Sequence, residues 1–234
     1  KRFNYKTNIK TESRNYKWIK MNIAINLVGL SHHDVGNGIH SYKDAYLNLF
    51  KNLIEPLKKS HNVSIHLHTY NNSEIENIKK IYNTNDITLF DLPEAGDKNN
   101  ARLASNTYID SLKYFQYKTN PDFIISTRFD LDIDVPINFD FTKFNFLFKE
   151  LNNWDNNELT TDTLYAFPIH MLDDVIESLY DVQENRDGRF CPGLFHCLYP
   201  YLKKRTDDIV FIDDEHSTVQ ISNKFRLGRY KIKK

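Results

Sequence analysis

The sequence predicts an α/β fold in which a mostly parallel sheet is covered by helices on both faces. Three observations predict it. Short β-branched runs alternate with helix-spaced apolar stripes from Asn22 to Ser126, the rhythm of strands joined by helical crossovers. The runs Asn22–Leu30 and Phe123–Ser126 are largely apolar, as strands buried on both faces are. The chain has 234 residues, 40% of them apolar and 26% charged, enough for a core that stands without staples.

The elements follow in order. Asn22–Leu30 (NIAINLVGL) reads as a buried strand that ends near Gly29. Ser41 is placed to cap a helix running to about Lys59, with Ala45, Leu49, Leu53 and Leu57 as its stripe. Val63–Tyr70 alternates, with Val63, Ile65 and Leu67 on one face and Ser64, His66 and His68 on the other. Ser73–Tyr82 is a short helix carrying Ile75, Ile78 and Ile81. Ile87–Phe90 is a short strand closed by Pro93 and Gly96. Ala101–Tyr117 is a long helix burying Leu103, Ile109, Leu112 and Phe115, and Pro121 ends it before the strand at Phe123. Beyond it, Leu164–Phe167 and Ile209–Ile212 read as strands, and Met171–Val182 and Leu194–Lys203 as helices. Phe139, Phe141, Phe144, Phe146 and Phe148 alternate with polar residues and are expected to pack a core; Trp154 and Tyr165 are candidates to stack on a sugar ring.

Charge is balanced only in total, at 31 basic and 31 acidic residues. Residues 1–20 hold seven Lys or Arg and one acid, Glu12, and Lys224–Lys234 hold six bases and no acid. The stretch between them keeps 18 bases against 30 acids, a net of about −12. A zero net charge argues against a dedicated nucleic-acid binder, and no nucleic-acid partner is expected; the basic ends read as solvated tails, with contact to anionic lipid or nucleic acid as the alternative. Met21 opens the first strand, so residues 1–20 are expected to be a basic extension or a linker from an upstream segment, and 21–234 a single domain. No apolar run reaches the roughly 18 residues of a membrane span. Two cysteines, Cys191 and Cys197, make no disulfide framework and lack zinc spacing; both read as buried or incidental, which suggests a reducing compartment or indifference to redox state, and a cytoplasmic setting is expected.

In parallel α/β sheets ligands sit beyond the carboxyl ends of the strands, so chemistry is sought after Leu30, Tyr70, Phe90 and Ser126. The richest stretch is Ile124–Val135, IISTRFDLDIDV. A buried strand runs out into Arg128 and then Asp130, Asp132 and Asp134. In extended backbone the three acids point one way and repel one another unless a cation intervenes. A hard divalent ion, Mn²⁺ or Mg²⁺, suits such ligands and leaves positions for phosphate oxygens. Arg128 is suited to a phosphate. The ordinary alternative is an acidic edge that keeps the sheet soluble. His32, His33 and Asp34 are adjacent on a loop and fit a nucleotide or acceptor contact better than a metal cluster.

This D-x-D, with NIAINLVGLSHH, VSIHLHTY, NNARLASNTYIDSLKYF, PDFIISTRFDLDI and TDTLYAFPIHMLDDVIESLY in that order, resembles the GT-A glycosyltransferases. More narrowly, it resembles the small nucleotide-sugar-dependent transferases of large DNA viruses (chlorella-virus type) and bacterial surface-polysaccharide loci. The resemblance covers about residues 21–205. It implies a GT-A, Rossmann-like fold and transfer of a sugar from a nucleotide diphosphate donor, a UDP-sugar by expectation, to a glycan hydroxyl. It implies host cytoplasm if the source is viral. Val28, Gly29, Leu30 and Ser31 match the nucleotide loop, His68 and Thr69 the end of the second strand, and Arg102 and Arg128 the diphosphate contacts. Asp130 and Asp132 match the metal pair, with Asp132 the more direct ligand and Asp130 nearer the ribose or sugar. His216 is a candidate third ligand. A proton-accepting base falls to Asp162 by segment match, or to the cluster Asp213, Asp214, Glu215 through Asp214.

Two rivals remain at this stage. A haloacid-dehalogenase-type phosphohydrolase also uses D-x-D, but on its first strand. A non-catalytic module on a degenerate transferase fold would bind glycan or nucleotide without needing an intact acidic triplet.

Overall fold

Why the chain alternates as it does is visible in a computed structural model that describes residues 20–34, 39–91, 100–151, 155, 158–184, 194–218 and 222–227. In chain order the first strands are β1 (Asn22–Gly29), β2 (His32–Asp34), β3 (Ile39–Ser41), β4 (Asn62–Tyr70) and β5 (Ile87–Phe90). Then come β6 (Phe123–Arg128), β7 (Leu131–Ile133), β8 (Phe144–Phe146), β9 (Lys149–Glu150) and β10 (Leu164–Pro168). The last are β11 (Ile209–Phe211), β12 (His216–Ser217) and β13 (Phe225–Leu227). The helices are α1 (Tyr46–Leu49), α2 (Glu55–Ser60), α3 (Ile75–Tyr82), α4 (Asn100–Tyr117), α5 (Leu172–Glu184) and α6 (Leu198–Leu202).

Seven strands form one sheet in the order β11-β8-β10-β6-β1-β4-β5. β1 is parallel to β4 and β6, β4 to β5, and β8 to β11. β10 runs antiparallel to both of its neighbours, β6 and β8. The expected mostly parallel α/β sheet is therefore present. Helices lie on both faces. Leu49, Leu53, Leu57 and Ile78 pack on Ile23, Ile25, Leu27, Ile65 and Leu67 on one side. Leu112, Phe115, Val175, Leu179, Leu198 and Leu202 pack on Ala24, Ile124, Tyr165 and Phe167 on the other.

The helix expected from Ser41 to Lys59 is there but uneven. Ser41 accepts the Lys43 N–H at 3.2 Å and caps a 3-10 turn, Tyr42–Asp44, ahead of α1. Phe50–Ile54 is then wound as a π-helix before α2. The stripe explains it. A strict four-residue repeat drifts by about 40° per step around an α-helix of 3.6 residues per turn. One wider turn offsets that drift and keeps Ala45, Leu49, Leu53 and Leu57 all buried.

Alternation in β4 was legible, but its second face is not solvated. His66 and His68 are buried because α4 covers them. Phe144, Phe146 and Phe148 are buried, as the aromatic alternation required. Among the described residues no helix is long and apolar enough to cross a membrane. Cys197 is disulfide-bonded. The sequence reading of both cysteines as buried or incidental did not foresee that bond. Cys191, Trp154, Pro93, Gly96 and residues 1–19 of the basic extension lie outside the described residues, as do residues 228–234.

Candidate active site

The strand order locates the candidate site. From β1 the chain goes outward to β4 and β5, then returns to place β6 on the other side of β1. The carboxyl ends of β1 and β6 are thus the topological switch point, where Val28 and Arg128 pair in register.

β1 ends on Gly29 with φ +100°, a conformation that L side chains rarely adopt. A Cβ there would meet nothing within 4 Å, so Gly29 is needed for its backbone conformation and not for lack of room. The turn is tied down from β4. The Thr69 hydroxyl lies 2.8 Å from both the Gly29 carbonyl and Ser31 Oγ, and Asn72 Nδ2 donates to that same Ser31 Oγ at 3.0 Å. Both hydroxyls therefore shape the loop. Leu30 is half-buried beside them, and Val28 is fully buried.

Beyond Ser31 the chain folds back as the hairpin β2–β3, which the sequence did not foreshadow. His33 Nε2 lies 3.3 Å from the Asn71 carbonyl, and burial lowers its pKa. His32 lies 3.3 Å from Ser41 Oγ. The side chain of Asp34 is outside the described residues. The hairpin's return strand delivers a residue that sequence reasoning missed, His40. Its Nδ1 lies 3.3 Å from both Arg128 Nη2 and Asp130 Oδ2.

Arg128 closes β6 and grips Asp130 with two N–H donors, at 2.9 Å and 3.1 Å. Asp130 is 1% exposed. Burial alone would raise its pKa; the Arg128 charge and the hydrogen bonds from His40 and Arg128 outweigh that and hold it far below the usual carboxylate range. Arg128 in turn is half-buried between acids. Asp130 and Asp162 fix it as a cation despite its desolvation. Tyr108 of α4 also faces this group, and burial pushes its hydroxyl up beyond ordinary titration.

The three acids do not share one face, contrary to the extended-strand expectation. A turn at Phe129–Asp130 interrupts the strand, and β7 begins only at Leu131. Asp130 folds back onto Arg128, two residues before it. Asp132 and Asp134 stay together, bridged by Asn48 Nδ2 at 2.8 Å and 3.0 Å. Asp134 also accepts from Arg226 of β13 at 2.6 Å. Like charges are thereby separated, each set with its own donors.

Asp162 lies just before β10, across from Arg128 Nη1 at 4.0 Å. On its other side His196 Nε2 is 3.6 Å away. His196 Nδ1 lies 2.7 Å from the Thr160 carbonyl and 3.9 Å from Glu150 Oε1. Burial raises the Glu150 pKa, helped by the Asp162 charge and opposed by His196. Glu150 and His196 were also missed. His196 sits inside CPGLFHC, which was read only for its cysteines.

Other expected residues lie elsewhere. His68 is buried under α4. Its Nδ1 lies 2.7 Å from Asn26 Oδ1, and its ring packs edge-on to Tyr114 and Phe115. It is a core residue of the sheet–helix layer. Asp214 is exposed on the loop after β11, while Asp213 is buried and paired with Lys224 at 3.2 Å. His216 is exposed on β12 opposite Lys149. Arg102 lies in α4, and its side chain is outside the described residues. Among the described residues no group of three or more His, Cys, Asp or Glu is gathered to hold a metal ion.

No protein-family model matches this chain, and no curated protein matches it.

Proposed function

We propose that this chain is a nucleotide-sugar-dependent glycosyltransferase of GT-A type, moving a sugar from a nucleoside diphosphate donor, a UDP-sugar first among candidates, to a glycan hydroxyl. The observation that carries the reading is Arg128. It is a half-buried cationic fork at the switch point of a mostly parallel sheet, held by Asp130 and faced by Asp162. A fork so fixed suits a diphosphate.

The donor sets differ in how they fit a divalent cation. Both oxygens of Asp130 are taken by Arg128, so Asp130 is suited to orient Arg128 or accept from a ribose or sugar hydroxyl. Asp132, buried and bridged to Asp134 by one neutral amide, is the carboxylate suited to Mn²⁺ or Mg²⁺. One or two carboxylates suffice for such an ion when diphosphate and water complete its shell. Bound there, the ion would neutralise charge on the departing diphosphate. His216 is not needed for this set. Arg128 would hold the diphosphate in line, and the Gly29 turn would let backbone approach the nucleotide.

Calorimetric titration of UDP and GDP with and without Mn²⁺ tests the reading. Metal-dependent UDP binding is expected, reduced at least tenfold by Asp132→Ala. Failure of wild-type protein to bind any nucleoside diphosphate would overturn the reading and favour a non-catalytic module.

A further inference from the structure

We infer that the proton-accepting base of this site is His196, with Asp162 and Glu150 as its flanking acids. This rests on the glycosyltransferase reading and adds a residue and a stereochemical outcome to it. The inference starts from a tautomer. A carbonyl only accepts, so the 2.7 Å contact to Thr160 requires a proton on Nδ1. In the neutral ring, Nε2 then carries the lone pair. That lone pair is on the side of Asp162, 3.6 Å away. The gap is longer than a direct hydrogen bond, so an acceptor hydroxyl can share it between Nε2 and the carboxylate.

Position supports the role. His196 is only 17% exposed, yet joins the site through Asp162, which also faces Arg128. An imidazolium formed here meets one carboxylate at 3.6 Å and another at 3.9 Å. Glu150 is 12% exposed; burial raises its pKa, and a positive charge on His196, 3.9 Å away, acts in the opposite direction and favours its ionised form. Asp162, between a guanidinium and an imidazole, serves as the anion that positions the ring and the hydroxyl. Asp214, the other acid considered, is exposed and outside this group.

The step balances as follows. The acceptor O–H proton passes to His196 Nε2 as the acceptor oxygen bonds to the anomeric carbon. The bond from that carbon to the diphosphate oxygen breaks, and its electron pair leaves with the nucleoside diphosphate. Direct attack of this kind inverts the anomeric centre.

Two readouts test it on the full chain. In ¹⁵N spectra of histidine-labelled protein, the signals removed by His196→Gln are expected to be those of an Nδ1–H tautomer. An Nε2–H tautomer would overturn the proposal, since no lone pair would face Asp162. UDP release is then measured from UDP-glucose, UDP-galactose and UDP-N-acetylglucosamine. His196→Gln is expected to lower kcat by about 10²–10⁴-fold while UDP affinity stays within about twofold. Added imidazole is expected to restore part of the activity of His196→Gly. A variant with unchanged kcat and pH profile overturns the base and leaves the transferase reading standing. Wild-type protein that binds no UDP overturns the transferase reading itself, and the base with it. Where UDP binds but none of the three donors turns over, the tautomer decides.

Discussion

His68 shows how one atom sets a pH limit on the molecule. Asn26 Nδ2 donates to Ser111 and Ser126, so its Oδ1 accepts from His68 Nδ1–H. The other ring nitrogen is buried against aromatic rings and has no hydrogen-bond partner among the described residues. A proton added there would put a charge in an apolar layer. Burial accordingly lowers the pKa from 6.5 to about 4, with the His66 charge acting in the same direction. The unfolded chain therefore takes up more protons than the folded one between those values. The contribution is full above about pH 6.5 and is lost as pH falls towards 4, on the order of 3 kcal/mol in all. His68→Asn can still donate to Asn26 but cannot titrate. The drop in urea midpoint between pH 7 and pH 4.5 is expected to be clearly smaller in that variant. An equal drop would mean that another group limits acid stability.

At the scale of elements, the segment α1–π-helix–α2 acts as a clamp on β7. Asn52, in the π turn, donates to the Ile133 carbonyl at 2.6 Å, and Asn48, one turn earlier, holds Asp132 and Asp134. Asn52→Ala leaves a buried carbonyl without its donor. It is expected to cost about 1–3 kcal/mol in urea unfolding. It is also expected to weaken UDP–Mn²⁺ binding, because β7 carries Asp132. Stability lost with binding unchanged would show that the clamp serves the fold alone. This device also marks where the sequence stopped being readable. β1 and β6 are continuous apolar runs, and β4, α3 and α4 carry a single clear period, so each was legible. β7 pairs with β13, placing Arg226 opposite Asp132, and β9 pairs with β12. Strands of two or three residues are too short for a period, and their partners are set by distant register. The same holds in the site. Arg128, Asp130 and Asp162 were legible as charges at strand ends. His40, Glu150 and His196 reach them only through a hairpin, a short pairing and a 3-10 turn.

The molecule as a whole is two helical layers that share one sheet, and the sharing determines how it unfolds. β1 sends Ile23, Ile25 and Leu27 to the layer of α1–α3 and Ala24 to the layer of α4–α6. β6 divides likewise, with Phe123 and Ile125 on one side and Ile124 on the other. Neither layer keeps its core once the central strands part, and the loops at the switch point depend on both. Ile25 is fully buried, and Ile25→Ala is expected to cost about 2–5 kcal/mol through lost burial and a residual cavity. Its side chain touches only one layer. If unfolding is a single event, native-state hydrogen exchange will show the slowest amides of α2 and of α4 losing protection by the same amount. A loss confined to α2 and its neighbours would mean that the layers open separately. The switch point would then be a seam between two folding units, with Arg128 at the boundary.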